Sequence, residues 1–210
     1  NVARHSQKLR RGAHKQNHFV ICLRDLKTSD KSHIQQKIEK VFSGVPNYFG
    51  EQRFGRDGNN LREAHQILVE GKRYRDKQKR GLMLSAARSY LFNQVLATRV
   101  REGSWTQCLD GELSSFPTGP LWGRGRPLVG SDVALLEQQV LKSWGDWCNG
   151  LEHAGLSQER RALQLIPRDT GCEWLDDNLT LKFSLDAGEF ATALLHELAH
   201  LRTPSLIPSE

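Results

Sequence analysis

One twelve-residue stretch, GVPNYFGEQRFG at positions 44–55, limits the fold of this chain more than any other. It holds three glycines, one proline and three aromatic residues, a composition that suits neither a regular helix nor a regular strand. We therefore predict a shaped loop in which Tyr48, Phe49 and Phe54 present flat faces near Arg53. Such faces beside a guanidinium suit unstacked RNA bases, and aromatic plugs of a protein core are the alternative.

The charge of the chain favours a polyanionic partner. The 210 residues carry a net charge of +6, much of it in two basic runs. The first run surrounds Tyr74 and consists of Lys72, Arg73, Arg75, Lys77, Lys79 and Arg80. The second run consists of Arg4, Lys8, Arg10, Arg11 and Lys15. Either run can be an ordinary solvated face, but phosphate neutralisation releases counterions and makes nucleic acid the favoured partner.

Hydropathy and cysteine spacing argue against membrane and secreted classes. No window approaches about eighteen uninterrupted apolar residues, and no leader-like segment is visible. The four cysteines form no CxxC pair and no dense framework, which fits reduced thiols. We expect a globular, cytoplasmic protein with one large domain or two small ones.

The two ends of the chain each combine a strand with a helix. Residues 17–24 alternate with apolar residues on both faces, which predicts a well-buried strand. Ser29 or Asp30 can cap the helix that follows. Residues 178–185 alternate as a half-buried strand, and a helix from 189 to about 201 follows a turn.

The middle of the chain, residues 44–165, is mostly helical by its apolar periodicity. The predicted helices begin at a cap at Asn59, span 82–102, include Val133 to Trp147, and begin again at a cap at Ser157. The last of these contains Arg160, Arg161, Leu163 and Leu165. Glycines and prolines predict a loop at 110–127.

The segment His196-Glu197-Leu198-Ala199-His200 matches the HExxH pattern, in which two imidazoles one helical turn apart hold zinc. Both histidines point away from the apolar stripe of their predicted helix. We therefore interpret the segment as a helix surface and expect no bound metal.

Four stretches resemble, in order, the signature motifs of the TruD family of tRNA pseudouridine synthases. They are Asn17-His18-Phe19, the loop at 44–55, SAARSYLFNQ at 85–94 and AGEFAT at 187–192. The sequence departs from the family at Gln16, where glycine is usual. It also lacks a segment that family members carry after Glu112. Either a natural deletion or an omitted loop between Glu112 and Leu113 explains the shorter connection.

This resemblance implies an α+β fold. A pseudouridine synthase-type mixed sheet with helices would be formed by residues 1–43 and 166–210, as parts of a catalytic domain. Residues 44–165 would be the inserted, mostly helical TRUD domain. The implied activity is isomerisation of uridine to pseudouridine in tRNA, at the D-arm position conventionally numbered thirteen, without any cofactor.

The resemblance also assigns roles to residues. Asn17 would bind the edge of the extracted uridine, and Phe19 and Phe190 would stack against it. From the loop composition and the charge pattern, we assign RNA binding to Arg53, Lys72, Arg73, Arg75, Lys79 and Arg80. The family's nucleophilic aspartate belongs to a Gly-x-Lys-Asp motif that this sequence does not contain, so we expect it upstream of Asn1.

Two other functional classes are compatible with the sequence. Without the Lys-Asp motif, the chain could be a non-catalytic RNA-binding module. A zinc peptidase using His196, Glu197 and His200 is a weaker alternative. For the leading interpretation, we expect a monomer that binds tRNA and is not associated with a membrane.

Overall fold

The computed structural model describes residues 15–24, 26 and 30–199. The chain divides into two compact units, of which the first contains Asn1–Val45 and Ile166–Glu210 and the second contains Pro46–Leu165. Helices and strands occur in both units, which confirms the predicted α+β class. None of the helices among the described residues combines the length and hydropathy that a membrane crossing requires.

Seven strands and six α-helices occur in the described residues. The strands are β1 (Gln16–Leu23), β2 (Val45–Pro46), β3 (Thr118–Leu121), β4 (Glu159–Ala162), β5 (Gln164–Leu165), β6 (Arg168–Leu175) and β7 (Asn178–Asp186). The helices are α1 (Lys31–Phe42), α2 (Asn59–Leu68), α3 (Lys77–Arg101), α4 (Ser131–Leu141), α5 (Gly145–His153) and α6 (Ala191–Leu198). The sequence does not predict β6, because RDTGCEWL lacks apolar alternation.

The first unit is built on an antiparallel sheet in which β7 lies between β1 and β6. One face of this sheet is apolar and carries the buried residues Leu179, Leu181, Phe183 and Leu185 of β7. The opposite face is open, because Val20 of β1 is 72% exposed. The prediction that β1 is buried on both faces is therefore wrong.

Helices α1 and α6 contact each other in the first unit, and the Lys37 Nζ donates to the Leu198 carbonyl at 2.9 Å. Of the two caps predicted for α1, Asp30 is the one used. Its carboxylate accepts from the backbone N–H groups of Ser32 and His33. Helix α6 ends at Leu198, earlier than predicted, because Ala199 has extended backbone geometry.

Helix α3 is the central element of the second unit. It begins at Lys77 rather than at the predicted residue 82, because the Asp76 carboxylate caps it by accepting from two backbone N–H groups. Leu84 and Leu91, which lie on one side of the helix, are buried, and Phe92 on a different side is buried too. A helix that is apolar on several sides is typical of an interior position.

An antiparallel pair of β3 and β4 replaces the helix that was predicted after Ser157. Thr118 pairs with Ala162, and Leu121 pairs with Glu159. The pair packs closely on α3, since a Cβ added to Gly119 would lie 2.9 Å from the Phe92 ring. The helix prediction is wrong because the strand partner, which lies far away in the sequence, decides the conformation.

Candidate functional site

Two residues predicted to bind the base, Asn17 and Phe19, lie on the same face of β1 because strand side chains alternate. Asn17 is in register with Leu185, and Phe19 with Phe183. The rings of Phe19 and Phe183 stack with their centroids 5.3 Å apart. Asn17 and Phe19 are both half-buried, so each keeps an accessible part.

The third such residue, Phe190, follows a tight turn at the end of β7. The Glu189 N–H donates to the Asp186 carbonyl at 3.1 Å, and the Glu189 carboxylate accepts from the Asp186 N–H at 2.9 Å. Gly188 has a φ of 93°, a left-handed value that favours glycine. Phe190 itself is half-buried and precedes the buried stripe of α6.

This turn starts beside the first residues of β1. Asp186 is the register partner of Gln16, and the Ala187 N–H donates to the Lys15 carbonyl at 3.0 Å. Arg168 also forms an exposed ion pair with Asp186. The antiparallel pairing thus brings the beginning of β1 to the turn that leads to Phe190.

Two of the recognised motifs bind each other within the second unit. The Phe49 N–H donates to the Asn93 Oδ1 at 3.0 Å, and the Asn93 Nδ2 donates to the Phe49 carbonyl at 2.9 Å. The Phe49 ring meets the Phe92 ring edge-on at 5.5 Å. The loop at 44–55 is thereby tied to α3, and its central aromatic residue is a buried core residue.

Two guanidinium groups lie near the buried Phe49 ring. Arg161 lies 4.2 Å and Arg53 5.3 Å from its centroid. The Arg53 Nη1 donates to the Ser85 Oγ at 3.2 Å, and burial lowers the pKa of Arg53. The expectation that Phe49 offers an open stacking face is wrong, because these contacts enclose it. Arg161 reaches this ring from β4, whereas the sequence predicts a helix at this position.

The first basic run separates into two groups around Tyr74. Lys72 and Lys79 each lie 5.3 Å from the Tyr74 ring centroid. Both lysines, Arg73 and Arg75 are exposed, but Lys72 donates to the Gln66 side chain at 2.7 Å and Lys79 lies 3.9 Å from the Glu63 carboxylate. In the described part of the chain, no hydrogen bond or ion pair engages the side chain of Arg73 or Arg75.

The remaining basic positions are only partly described. Arg80 is half-buried, Lys77 is exposed, and Lys15 of the second run is exposed. The other members of the second run, Arg4, Lys8, Arg10 and Arg11, lie outside the described residues.

The HExxH segment is divided by the end of α6. His196 and Glu197 are exposed on this helix, as predicted, and His200 lies outside the described residues. The helix ends at Leu198, so it does not continue through the spacing that a zinc site requires. Within residues 15–24, 26 and 30–199, no group of three or more His, Cys, Asp or Glu side chains could hold a metal ion.

A buried charge cluster in the second unit is absent from the sequence-based prediction. Arg99 pairs with Glu112 at 3.6 Å, and both side chains are 1% exposed. Arg160 pairs with Glu137 at 2.7 Å. Thr118 joins the pairs, because its Oγ1 donates to Glu112 and accepts from the Arg160 Nε. No local pattern reveals this cluster, since its members come from separate elements.

The pH dependence of stability should report on Glu137. Burial raises the pKa of Glu137 from 4.5 to about 7. The charge of Glu112 also raises this pKa, whereas the charges of Arg160 and Arg99 lower it. Between these pH values the folded state holds more protons, so the stabilisation is complete below about 4.5 and is lost as pH rises through about 7.

We expect the unfolding free energy of the wild-type protein, relative to Glu137→Gln, to fall by up to about 3 kcal/mol from pH 5 to pH 8. Urea unfolding of both proteins at each pH measures this. A difference that stays constant or rises with pH would contradict the raised pKa.

Comparison with known proteins adds a family relationship. The family described as tRNA pseudouridine synthase D (TruD) matches residues 1–77. A tRNA pseudouridine synthase D from Cellvibrio japonicus is 58% identical over 207 residues, which cover 98% of this chain and 62% of that protein. The protein of the same name from Aeromonas hydrophila is 43% identical over 225 residues, which cover 94% and 63%.

One solved structure has a fold similar to that of this chain. The crystal structure of a Methanosarcina mazei protein assigned to tRNA pseudouridine synthase D (TruD) superposes with a TM-score of 0.62 at 17% identity. The match covers 89% of this chain and 69% of that one. At this level of identity, the match shows the fold alone.

The lengths of these alignments bear on the short connection after Glu112. The Aeromonas alignment of 225 positions exceeds the 210 residues of this chain, so that relative carries additional residues within the aligned region. The Cellvibrio alignment of 207 positions covers 98% of the chain and requires no such insertion. A natural protein shares the shorter form, which supports a natural deletion.

The chain spans about three fifths of the length of these curated relatives. The similarity nevertheless extends over almost the whole of the chain itself, and the order of the four motifs agrees with it. On this evidence, nearly the whole chain is similar to the corresponding part of TruD family proteins.

Proposed function

We propose that this chain forms the base-binding and RNA-binding part of a tRNA pseudouridine synthase. The enzyme isomerises uridine to pseudouridine in tRNA, at the D-arm position conventionally numbered thirteen. The observation that carries the proposal is the pairing of β1 with β7, which brings Asn17 and Phe19 to the turn before Phe190. The name shared by the relatives supports the same activity.

The reaction sets requirements that these residues suit. The enzyme extracts the uridine, breaks its N1–C1′ bond, rotates the base and forms a C5–C1′ bond, and the C5 proton leaves to solvent. Phe19 and Phe190 provide planar faces for stacking against an extracted base, and the Asn17 amide can both donate to and accept from its Watson–Crick edge. This chemistry requires no metal or organic cofactor.

The nucleophile is assigned outside this sequence. An aspartate must approach the sugar carbon C1′ or the base carbon C6, and the family's Gly-x-Lys-Asp motif does not occur among the 210 residues. We propose that another part of the protein supplies it. The unit Pro46–Leu165 would be the inserted TRUD domain, and the other unit would be part of the catalytic domain.

Tritium release from tRNA labelled with [5-³H]uridine tests this proposal. We expect the full-length protein to release tritium and residues 1–210 alone to bind tRNA without releasing it. Tritium release by residues 1–210 alone would refute the external nucleophile. Tight tRNA binding by the full-length protein without any release would favour a non-catalytic RNA-binding module.

We further propose that the enzyme acts as a cytoplasmic monomer with tRNA as its partner. All four cysteines lie among the described residues, and none of them forms a disulfide. Burial raises the pKa of Cys148 to about 12, which keeps this thiol protonated and unreactive. Light scattering of the full-length protein, free and with tRNA, tests the monomer.

Phosphate contacts should come first from the exposed arginines of the basic run. The double substitution Arg73→Gln/Arg75→Gln should reduce the slope of log affinity against log salt by about 1.4 to 1.8, because each phosphate contact contributes about 0.7 to 0.9. The matched pair Lys72→Gln/Lys79→Gln removes equal charge but should reduce the slope less, because these lysines already contact Tyr74.

Filter binding of tRNA at several salt concentrations measures these slopes. Equal slope changes in the two pairs would show that Lys72 and Lys79 contact phosphate as well as the two arginines. Unchanged slopes in both would remove the run from the RNA interface.

A further inference from the structure

A chain of side-chain hydrogen bonds crosses all three strands of the sheet in the first unit. The His18 Nδ1 lies 2.7 Å from the Ser184 Oγ, which donates to the Asp169 Oδ2 at 2.7 Å. His18 belongs to β1, Ser184 to β7 and Asp169 to β6. We call these three residues the His18–Ser184–Asp169 relay.

The direction of the hydrogen bonds follows from the single proton of the serine. Since the Ser184 hydroxyl donates to Asp169, it must accept from an N–H on the His18 Nδ1. Ser184 is 1% exposed, so its hydroxyl is inaccessible to a substrate carbonyl. This excludes a serine nucleophile, although the three residue types match those of a hydrolase triad.

The relay lies where the backbone ladder between β6 and β7 is interrupted. The register shifts between Arg168 and Gly171, which marks a bulge, and Asp169 has a left-handed φ of 50°. A bulge weakens main-chain pairing, so the hydrogen bond from Ser184 to Asp169 supplies a link that the backbone lacks there. The Arg168–Asp186 ion pair lies at the same end of the sheet.

This end of the sheet carries the residues assigned to the base. His18 lies between Asn17 and Phe19 on β1 and points to the opposite face. On β7, Leu185, the register partner of Asn17, follows Ser184 directly, and the turn to Phe190 comes next. A shift of β7 at Ser184 would therefore move both the partner of Asn17 and the start of the turn.

We propose that the relay is a positioning device for the base pocket, holding the bulged end of β7 against β1 and β6 so that Asn17, Phe19 and Phe190 keep their spacing. This inference rests on the proposed function. The three residues act through the strands and do not touch the uridine. Small displacements of groups that bind a reacting base slow the chemical step strongly, whereas tRNA affinity depends on phosphate contacts elsewhere.

Asp169 offers a matched pair of substitutions for the test. Asp169→Asn keeps an acceptor oxygen and tolerates the left-handed φ, whereas Asp169→Gly keeps the backbone geometry but loses the acceptor. Ser184→Ala removes the hydroxyl from the middle of the relay. Lys182→Met is the control, because Lys182 is an exposed residue of β7 whose side chain pairs with Glu173.

In the full-length protein, Asp169→Gly and Ser184→Ala should lower the single-turnover rate of tritium release about tenfold. The tRNA Kd should stay within about twofold, because the phosphate contacts are intact. Asp169→Asn and Lys182→Met should react at nearly the wild-type rate. The Ala187 N–H donates to the Lys15 carbonyl, so its amide exchange reports on the pairing between β1 and the turn. This exchange should be faster in Asp169→Gly and Ser184→Ala, together with their lower reaction rate.

Each result decides a separate question. If wild-type protein releases no tritium, the proposed function fails, and the exchange of Ala187 alone decides the relay. If wild type is active and Asp169→Gly and Ser184→Ala match it, only the relay fails. If Asp169→Asn is as slow as Asp169→Gly, or if Lys182→Met is equally slow, a charge effect or general weakening of the sheet replaces positioning.

Discussion

Replacing Phe190 by leucine should slow uridine isomerisation by the full-length protein about 5- to 150-fold while leaving its Tm nearly unchanged. Leucine retains most of the apolar volume but has no planar face, and stacking on an aromatic side chain contributes about 1 to 3 kcal/mol per base. Phe190 is half-buried and directly precedes α6, and leucine can fill most of the volume of its ring. Asn17→Ala should also slow the reaction, because the base loses its amide partner.

The measurement is the single-turnover rate of tritium release from [5-³H]uridine tRNA, with Tm determined on the same samples. Phe116→Leu is the matched control, since Phe116 is 51% exposed and lies in the second unit. Wild-type rates for both Phe190→Leu and Asn17→Ala would refute the uridine pocket. A large fall in Tm for Phe190→Leu would instead assign the ring to the core.

Replacing Arg99 by methionine should destabilise the protein by about 3 to 5 kcal/mol, the usual effect of leaving a buried charge without its partner. Arg99 is fully buried and donates to the carbonyl groups of Ser104 and Gln107 as well as pairing with Glu112. Without Arg99, the Glu112 carboxylate stays buried but has no ion-pair partner, and the loop that carries the two carbonyl groups loses its contacts with the guanidinium.

Urea unfolding at neutral pH measures this effect. Lys182→Met removes an exposed ion pair with Glu173 and should change stability by less than about 1 kcal/mol. Adding Glu112→Gln to Arg99→Met should recover part of the loss, because it removes the unpaired charge. A loss for Arg99→Met as small as that for Lys182→Met would show that the buried pair contributes little.

The central loop shows how a motif can be recognised correctly and its contacts assigned wrongly. Its glycines and aromatics predict a shaped loop, and the segment contains only the two-residue strand β2 and one short 3₁₀ helix, Glu51–Phe54. The direction in which Phe49 points depends on Asn93 and Arg161, which are distant in sequence. Composition describes which surfaces a loop can present, whereas packing partners decide which of them remain open.

Residues 159–162 show that tertiary contacts can also override the secondary structure predicted from local sequence. The sequence ERRA has no strong preference for strand, and the residues around it permit an amphipathic helix. Because these residues pair with β3, they form a strand. In this strand, Arg160 forms its ion pair with Glu137, and Arg161 lies over the Phe49 ring. A long-range ladder outweighs local propensities that differ by only about 0.5 kcal/mol per residue.

By itself, the sequence indicated the resemblance to the TruD family, the α+β class, strand β1, two candidate caps for α1 and the long helix α3. These features depend on neighbouring residues or on periods of two and 3.6, which can be recognised along the chain. Only the tertiary structure decided the open face of β1, the strands β4 and β6, the buried pair of Arg99 with Glu112 and the relay through Ser184. Each of these depends on partners that only the folded chain brings together, and no local pattern specifies such a partner.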